Sequence, residues 1–238
     1  MNKREFLRLG LIGLGGVIAA PAMANNVMRK RLITGAKDFK LPDLRYNYDA
    51  LHPFMDAETV STLYKKHAGY LQHLNTTLAD EGLKGKTLRE IFLRITDYPE
   101  AVRINGGGFF NYRIFWKALS PKGGAIPNGI LREALIRDFG SLENFRSEFS
   151  GVAGSVEGNG WAWLILQNGK LKITSTKGQD NPVMNVAAEQ GRPLLCLNMN
   201  AEAISPVCHN NSSSYIEKFW NVVNWDFVSK KYSRFRTA

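Results

Sequence analysis

The sequence predicts an α+β fold: a long N-terminal helical hairpin, then a C-terminal α/β domain carrying a small antiparallel sheet. Three observations support this. Apolar residues recur at steps of three and four from Val60 to Leu78, the spacing of one buried helix face. A second apolar stretch, Gly106 to Leu119, stops at Ser120-Pro121-Lys122-Gly123-Gly124, residues that break helices and form turns. Further on, Gly160-Trp161-Ala162-Trp163-Leu164-Ile165-Leu166 and Lys170 to Ser175 flank Asn168-Gly169, a strong two-residue hairpin signal. Helices first and strands later describe segregated rather than alternating elements.

In chain order, Leu41-Pro42-Asp43-Leu44-Arg45-Tyr46 opens the domain as an extended arm. Asp56 caps the first helix, with Glu58 and Thr59 in its first turn, and the apolar face continues for roughly six turns through Leu63, His67, Leu71 and Leu74. Thr87 to Thr96 reads as a shorter helix and Gly106 to Leu119 as another. Helices near 128–138 and 142–154 follow, the second capped by Ser141. After the hairpin, a loop through Asp180-Asn181-Pro182 leads to a strand from Pro193 to Leu197, and one last helix spans Ser214 to Lys231. No internal repeat or low-complexity tract interrupts this order. The expected domains are 41–122, a helical hairpin, and 123–238, an α/β unit, with the Pro/Gly segment as their boundary.

Residues 1–24 have a different character. Asn2-Lys3-Arg4-Glu5-Phe6-Leu7-Arg8 is basic, Leu9 to Ala20 is apolar, and Pro21-Ala22-Met23-Ala24 ends in small residues. This is the layout of an export signal cut after Ala24, and the run is shorter than the roughly 20 apolar residues a membrane span requires. Lys3-Arg4-Glu5-Phe6-Leu7 looks like a twin-arginine pattern with lysine in the first place. An ordinary secretory signal or an uncleaved N-terminal anchor are the alternatives, the last allowing membrane association through 1–24. Residues 25–40 read as a linker. The expected location is therefore outside the cytoplasm, in the periplasm or on the outer face of the membrane.

The formal charge is +10, which draws anions to the surface without specifying a fold. Basic residues are scattered apart from Arg29-Lys30-Arg31, so no nucleic-acid partner is expected. Cys196 and Cys208 could pair in an oxidising compartment, or Cys196, set in an apolar run, is a free buried thiol. Adjacent Cys208 and His209 are too sparse a set for a zinc site without partners from elsewhere.

Four separate blocks carry a family resemblance. They are Ala57-Glu58-Thr59 with Tyr70, Leu74 and Asn75; Phe115-Trp116 with Leu119-Ser120-Pro121; Phe139-Gly140-Ser141-Leu142 through Gly158-Asn159-Gly160-Trp161-Ala162-Trp163-Leu164; and Pro193-Leu194-Leu195-Cys196-Leu197-Asn198-Met199-Asn200-Ala201-Glu202-Ala203 with Tyr215 to Phe227. Together they resemble the iron/manganese superoxide dismutases over nearly the whole chain after residue 40. The resemblance implies a site in which three histidines, one aspartate and a solvent molecule hold a metal that cycles between trivalent and divalent states as superoxide is disproportionated.

Aligned on that family, the ligand positions carry Leu63, Tyr112, Asn198 and Glu202. His67 falls where the family has a non-ligand histidine near the substrate entrance, and Tyr70 matches the tyrosine that gates it, although the helix is one residue short between Lys66 and Tyr70. Gly108 stands where manganese forms have glycine and iron forms often have a solvent-binding glutamine. Ala201 replaces a glutamate that pairs across the family's dimer, and Ser205 a tyrosine of the same bridge. The tryptophans at 116, 161, 163, 220 and 225 are expected as core and cavity wall. His52 and His73 offer no replacement ligands.

These substitutions lead to the expectation of an exported superoxide dismutase-like protein without dismutase activity, vestigial at His67 and Tyr70, with no cofactor, acting as a structural or interaction subunit with a protein partner or as a homo-oligomer. In that reading Tyr112, Asn198 and Glu202 satisfy one another across the former cavity beneath Leu63. The alternative is a superoxide dismutase or other redox enzyme with a rebuilt iron or manganese site using Tyr112, Glu202, Asn198 and His67, since phenolate and carboxylate oxygens suit hard trivalent iron.

Overall fold

The computed structural model describes residues 38–208 and 211–237, with side chains from 205 to 208 excepted. The expected signal (1–24), most of the linker, Arg29-Lys30-Arg31 and His209 lie outside the described residues, as do the side chains of Ser205 and Cys208.

Helix α1, Ala57–Asp80, begins where the Asp56 carboxylate accepts from the Thr59 amide at 2.7 Å. Val60, Leu63, His67, Leu74 and Leu78 form its buried face, the three-and-four spacing expected of an amphipathic helix. Helix α2, Leu88–Phe92, starts in a reciprocal capping box between Thr87 and Glu90. The helix expected to reach Thr96 is cut short here. Leu93 closes α2, and a 3-10 turn, Ile95–Asp97, follows because the Ile95 amide donates to Asn185 Oδ1 at 3.1 Å rather than extending the helix.

Helix α3, Glu100–Ala118, starts earlier than the sequence suggested, with Pro99 at its N-cap position. It packs against α1, and its glycines permit close approaches. A Cβ at Gly107 would lie 2.0 Å from the Gln179 carbonyl oxygen, and one at Gly108 would lie 2.6 Å from the Tyr70 ring. Two shorter helices follow: α4, Gly129–Phe139, and α5, Leu142–Gly154, the latter capped by Ser141, whose hydroxyl accepts from the Asn144 amide at 3.0 Å.

The sheet has the order β2-β1-β3 and is antiparallel throughout, with β1 Gly160–Gln167, β2 Lys170–Lys177 and β3 Arg192–Asn198. Asn168 and Gly169 both take positive φ, 49° and 77°, which is the turn geometry that matches strand twist in a two-residue hairpin. The central strand β1 is buried from Gly160 to Leu166, as expected for a strand covered on both faces.

The C-terminal region departs from expectation. A helix absent from the sequence reading, α6, Ala201–Cys208, follows β3 directly. The single helix expected from Ser214 to Lys231 is two, α7 Ser212–Phe219 and α8 Trp225–Arg236. The backbone between them pairs with the end of α3 instead. Ser120 N–H donates to the Val222 carbonyl at 2.8 Å, Asn224 N–H to Ala118 at 2.8 Å, and Asn224 Oδ1 then caps α8 through the Phe227 amide at 3.1 Å.

The main hydrophobic core runs from Leu51 through α1, α3 and the sheet to Tyr232 and so includes both expected domains. A smaller core, Leu74, Leu78, Ile91, Phe92 and Phe109 among others, lies within the helical half and is closed by Met184. Among the described residues no helix is long and apolar enough to cross a membrane.

Candidate functional site

Helices α1 and α3, the end of β3 and the first turn of α6 carry the four positions at which the family resemblance expects ligands. Leu63 and Tyr112 are fully buried. Leu63 lies one helical turn before His67 on the buried face of α1.

Tyr112 lies at the centre of a ring cluster. Its centroid is 5.3 Å from Trp161, edge-on, 6.0 Å from Trp116, stacked, and 5.7 Å from the His67 imidazole. The hydroxyl accepts from Asn198 Nδ2 at 3.2 Å. Burial pushes its pKa far up, and the nearby Glu202 charge adds to the shift. Tyr112 is therefore a neutral phenol over the working pH range.

Asn198, also fully buried, closes β3. While its amide nitrogen serves Tyr112, its Oδ1 accepts from the Asn200 amide at 3.0 Å and from the Asn200 side chain. This turn of two asparagines starts the chain into α6, so the Asn198 carbonyl is already used when Tyr112 takes the nitrogen.

Glu202 does not join them. Tyr112 and Asn198 satisfy one another as the sequence suggested, but the Glu202 carboxylate points outward from the first turn of α6 and pairs with Lys66. Both side chains of that pair are about one-third exposed, 39% for Lys66 and 33% for Glu202, so the carboxylate stays hydrated instead of entering the aromatic cluster, where an unpaired charge costs on the order of several kcal/mol.

His67 has no exposed surface. Its Nε2–H donates to the Phe109 carbonyl oxygen at 3.1 Å, while Nδ1 has no partner among the described residues. Burial, helped by the Arg113 charge and opposed by the Phe109 hydrogen bond, lowers its pKa to about 4. Tyr70 is half-buried, lies on Gly108 and is 6.1 Å from Tyr112; burial also raises its pKa. The Tyr70 ring occupies the space a larger side chain at 108 would need.

Of the other histidines, His52 and His73 are exposed, whereas the cluster is buried. Cys196 is a free, buried thiol whose pKa burial pushes far up. The sequence reading missed two participants, Lys66 as the partner of Glu202 and Asn200 as the partner of Asn198. The Lys66 pairing crosses from α1 to α6, 136 residues apart, and no local pattern encodes it. The Asn198-Met199-Asn200 spacing was visible and is a recognisable side-chain turn.

The match to known proteins covers almost all of the described chain. Residues 38–120 match the alpha-hairpin domain of the iron/manganese superoxide dismutases and residues 127–231 match their C-terminal domain. The chain belongs to the iron/manganese superoxide dismutase family. A manganese superoxide dismutase from Listeria monocytogenes is 39% identical over 200 residues, 82% of this chain and 97% of the relative. Another from Haemophilus ducreyi is 40% identical over 202 residues, 82% of this chain and 94% of the relative.

A superoxide dismutase of this family ordinarily carries iron or manganese, and the donors here do not fit that ion. Leu63 offers no lone pair, Tyr112 is held as a neutral phenol, Asn198 offers an amide whose oxygen is already hydrogen-bonded, and Glu202 faces a lysine. First-row metals require several nitrogen, thiolate or anionic oxygen ligands directed at one point, and among the described residues no group of three or more His, Cys, Asp or Glu side chains converges.

Proposed function

We propose that this chain is an exported member of the iron/manganese superoxide dismutase family that no longer performs metal redox chemistry and acts as a structural or interaction subunit. The observation that carries the reading is the hydrogen bond from Asn198 Nδ2 to the Tyr112 hydroxyl, in the core that also buries Leu63. Two of the former ligand positions now satisfy each other, a third is aliphatic, and the fourth, Glu202, is bonded to Lys66. The surrounding tryptophans and phenylalanines remain as packing, so the fold no longer depends on a metal at its centre.

Export is inferred from the basic, apolar and small-residue layout of residues 1–24, and the protein acts in the periplasm or on the outer face of the membrane. The partner is another protein or a second copy of the chain. With Ala201 and Ser205 in place of the family's cross-dimer pair, a homo-oligomer would need other contacts.

The deciding experiment is elemental analysis and a superoxide-consumption assay on the purified native protein. The expected result is far less than one iron or manganese per chain and no consumption above the uncatalysed rate. The activity named for the Listeria and Haemophilus relatives is the alternative, and one bound iron or manganese per chain with rapid turnover would establish it and overturn this reading. A restored variant, Leu63→His with Tyr112→His, Asn198→Asp and Glu202→His, is expected to gain metal that the parent lacks.

A further inference from the structure

Away from the former metal centre, α2, α3, the β1–β2 turn, the loop before β3 and α8 enclose a cleft of about 770 Å³. Six cationic residues line it, Arg89, Arg113, Lys117, Arg192, Lys231 and Arg234, and no carboxylate does. Among the described residues none of the six is in an ion pair, and the nearby Glu189 is taken by Lys172 and Gln167. Unpaired surface lysines are common, but here the charges are held close together and partly out of water.

The fixing groups are aromatic. The Arg113 guanidinium lies 5.6 Å from the Phe109 ring and 5.7 Å from Phe110, with no hydrogen-bond partner among the described residues. The Lys231 ammonium lies 5.6 Å from Phe227 and 5.5 Å from Phe235 and donates to the Pro193 carbonyl oxygen at 2.6 Å. Arg192 stacks on Phe235 at 5.4 Å and donates to that residue's carbonyl oxygen at 3.0 Å. Ring faces and carbonyls orient a cation without neutralising it.

Burial, with a smaller part from like charge, disfavours the protonated form of two of these lysines. Burial first, then the Arg113 and Lys117 charges, lower the Lys231 pKa to about 7, the buried Cys196 thiol opposing. Burial first, then Arg113 and Arg45, lower that of Lys117. Keeping such a like-charged group desolvated costs free energy that a bound anion would recover. The walls between the cations are apolar, formed by Leu93, Phe110, Ile114, Leu166 and Phe227.

We infer that this cleft binds a small anionic ligand in which a phosphate group is joined to a flat apolar body, the cations holding the phosphate and the phenylalanine-lined wall the body. Arginine provides forked donors suited to phosphate oxygens, and a mixed polar and apolar cleft of this size accommodates one small molecule. The site is independent of the lost metal chemistry, sharing no residue with the Tyr112 and Asn198 pair.

The test is isothermal titration of the purified full chain with adenosine diphosphate, inorganic pyrophosphate and adenosine. Saturable binding of adenosine diphosphate at millimolar concentration or below, tighter than either fragment, is expected. Exchanging Arg234→Ala, an exposed position that leaves the core untouched, is expected to weaken it several-fold, and Lys231→Met about tenfold, which is about 1.4 kcal/mol. Lys122→Ala, outside the cleft, is expected to leave it unchanged. No saturation with any of the three, adenosine binding as tightly as its diphosphate, pyrophosphate binding as tightly as adenosine diphosphate, or Arg234→Ala and Lys231→Met both without effect would each overturn the inference.

Discussion

Acid should unfold this protein partly through one histidine. In the native structure His67 is sealed against Phe109 and Tyr112, and its pKa is lowered to about 4 from an unfolded value of 6.5. Between those values the unfolded chain binds a proton that the native chain refuses. Stability is complete above pH 6.5, falls as pH drops towards 4, and loses nothing further from this residue below that. The shift of about 2.5 units corresponds to about 3 kcal/mol in full, and about 2 kcal/mol by pH 5. Urea unfolding of the parent and of His67→Gln at several pH values from 7 to 4.5 isolates the effect, because carboxylate titration is common to both chains. The variant is expected to gain about 2 kcal/mol on the parent between pH 7 and 5. Parallel stability curves for parent and variant, or a His67 resonance titrating near 6.5 in the folded chain, would refute the reasoning.

Tyr112→Phe removes the acceptor of the Asn198 amide and leaves a buried donor unpaired, so the urea midpoint should fall by the equivalent of about 1–3 kcal/mol with metal content unchanged. Glu202→Gln breaks only a partly exposed ion pair and should cost less than about 1 kcal/mol in the same assay; a larger loss would show that the carboxylate does more than meet Lys66. The stability of the parent should rise with pH between 7 and 10, because unfolded Lys231 keeps a proton that the native ammonium loses near pH 7. The advantage of Lys231→Met over the parent should therefore shrink by about 1.4 kcal/mol per pH unit across that range, followed by chemical unfolding. Limited proteolysis within 121–128 should leave two fragments that elute together from a sizing column, since the Ser120–Val222 and Ala118–Asn224 hydrogen bonds span the cut.

Periodicity and turn chemistry were enough to place α1, the hairpin and the three strands, since each depends on neighbours within a few residues: Asp56 on Thr59, Asn168 on Gly169, alternation along β1. Elements whose ends depend on distant partners were misread. Nothing near Ile95 indicates that Asn185 takes its amide, and nothing near Val222 indicates that the end of α3 will claim its carbonyl. At the site, the family resemblance located Leu63, Tyr112, Asn198 and Glu202, and the neutral pairing of the middle two could be argued from their chemistry. The outward turn of Glu202 depends on Lys66 reaching across from another helix. The cationic cleft was invisible for the same reason: its arginines and lysines are scattered from Arg89 to Arg234 and converge only when α8 packs against α3.

The Tyr70 ring seated on Gly108 couples two positions whose alternatives exclude each other. A side chain cannot be introduced at 108 while the tyrosine is in place, and removing the tyrosine opens a hole beside Tyr112 that only a larger residue at 108 would refill. Substitutions there must come in pairs, in a particular order. Any route from this chain to a larger side chain at position 108 passes first through an intermediate with an unfilled core.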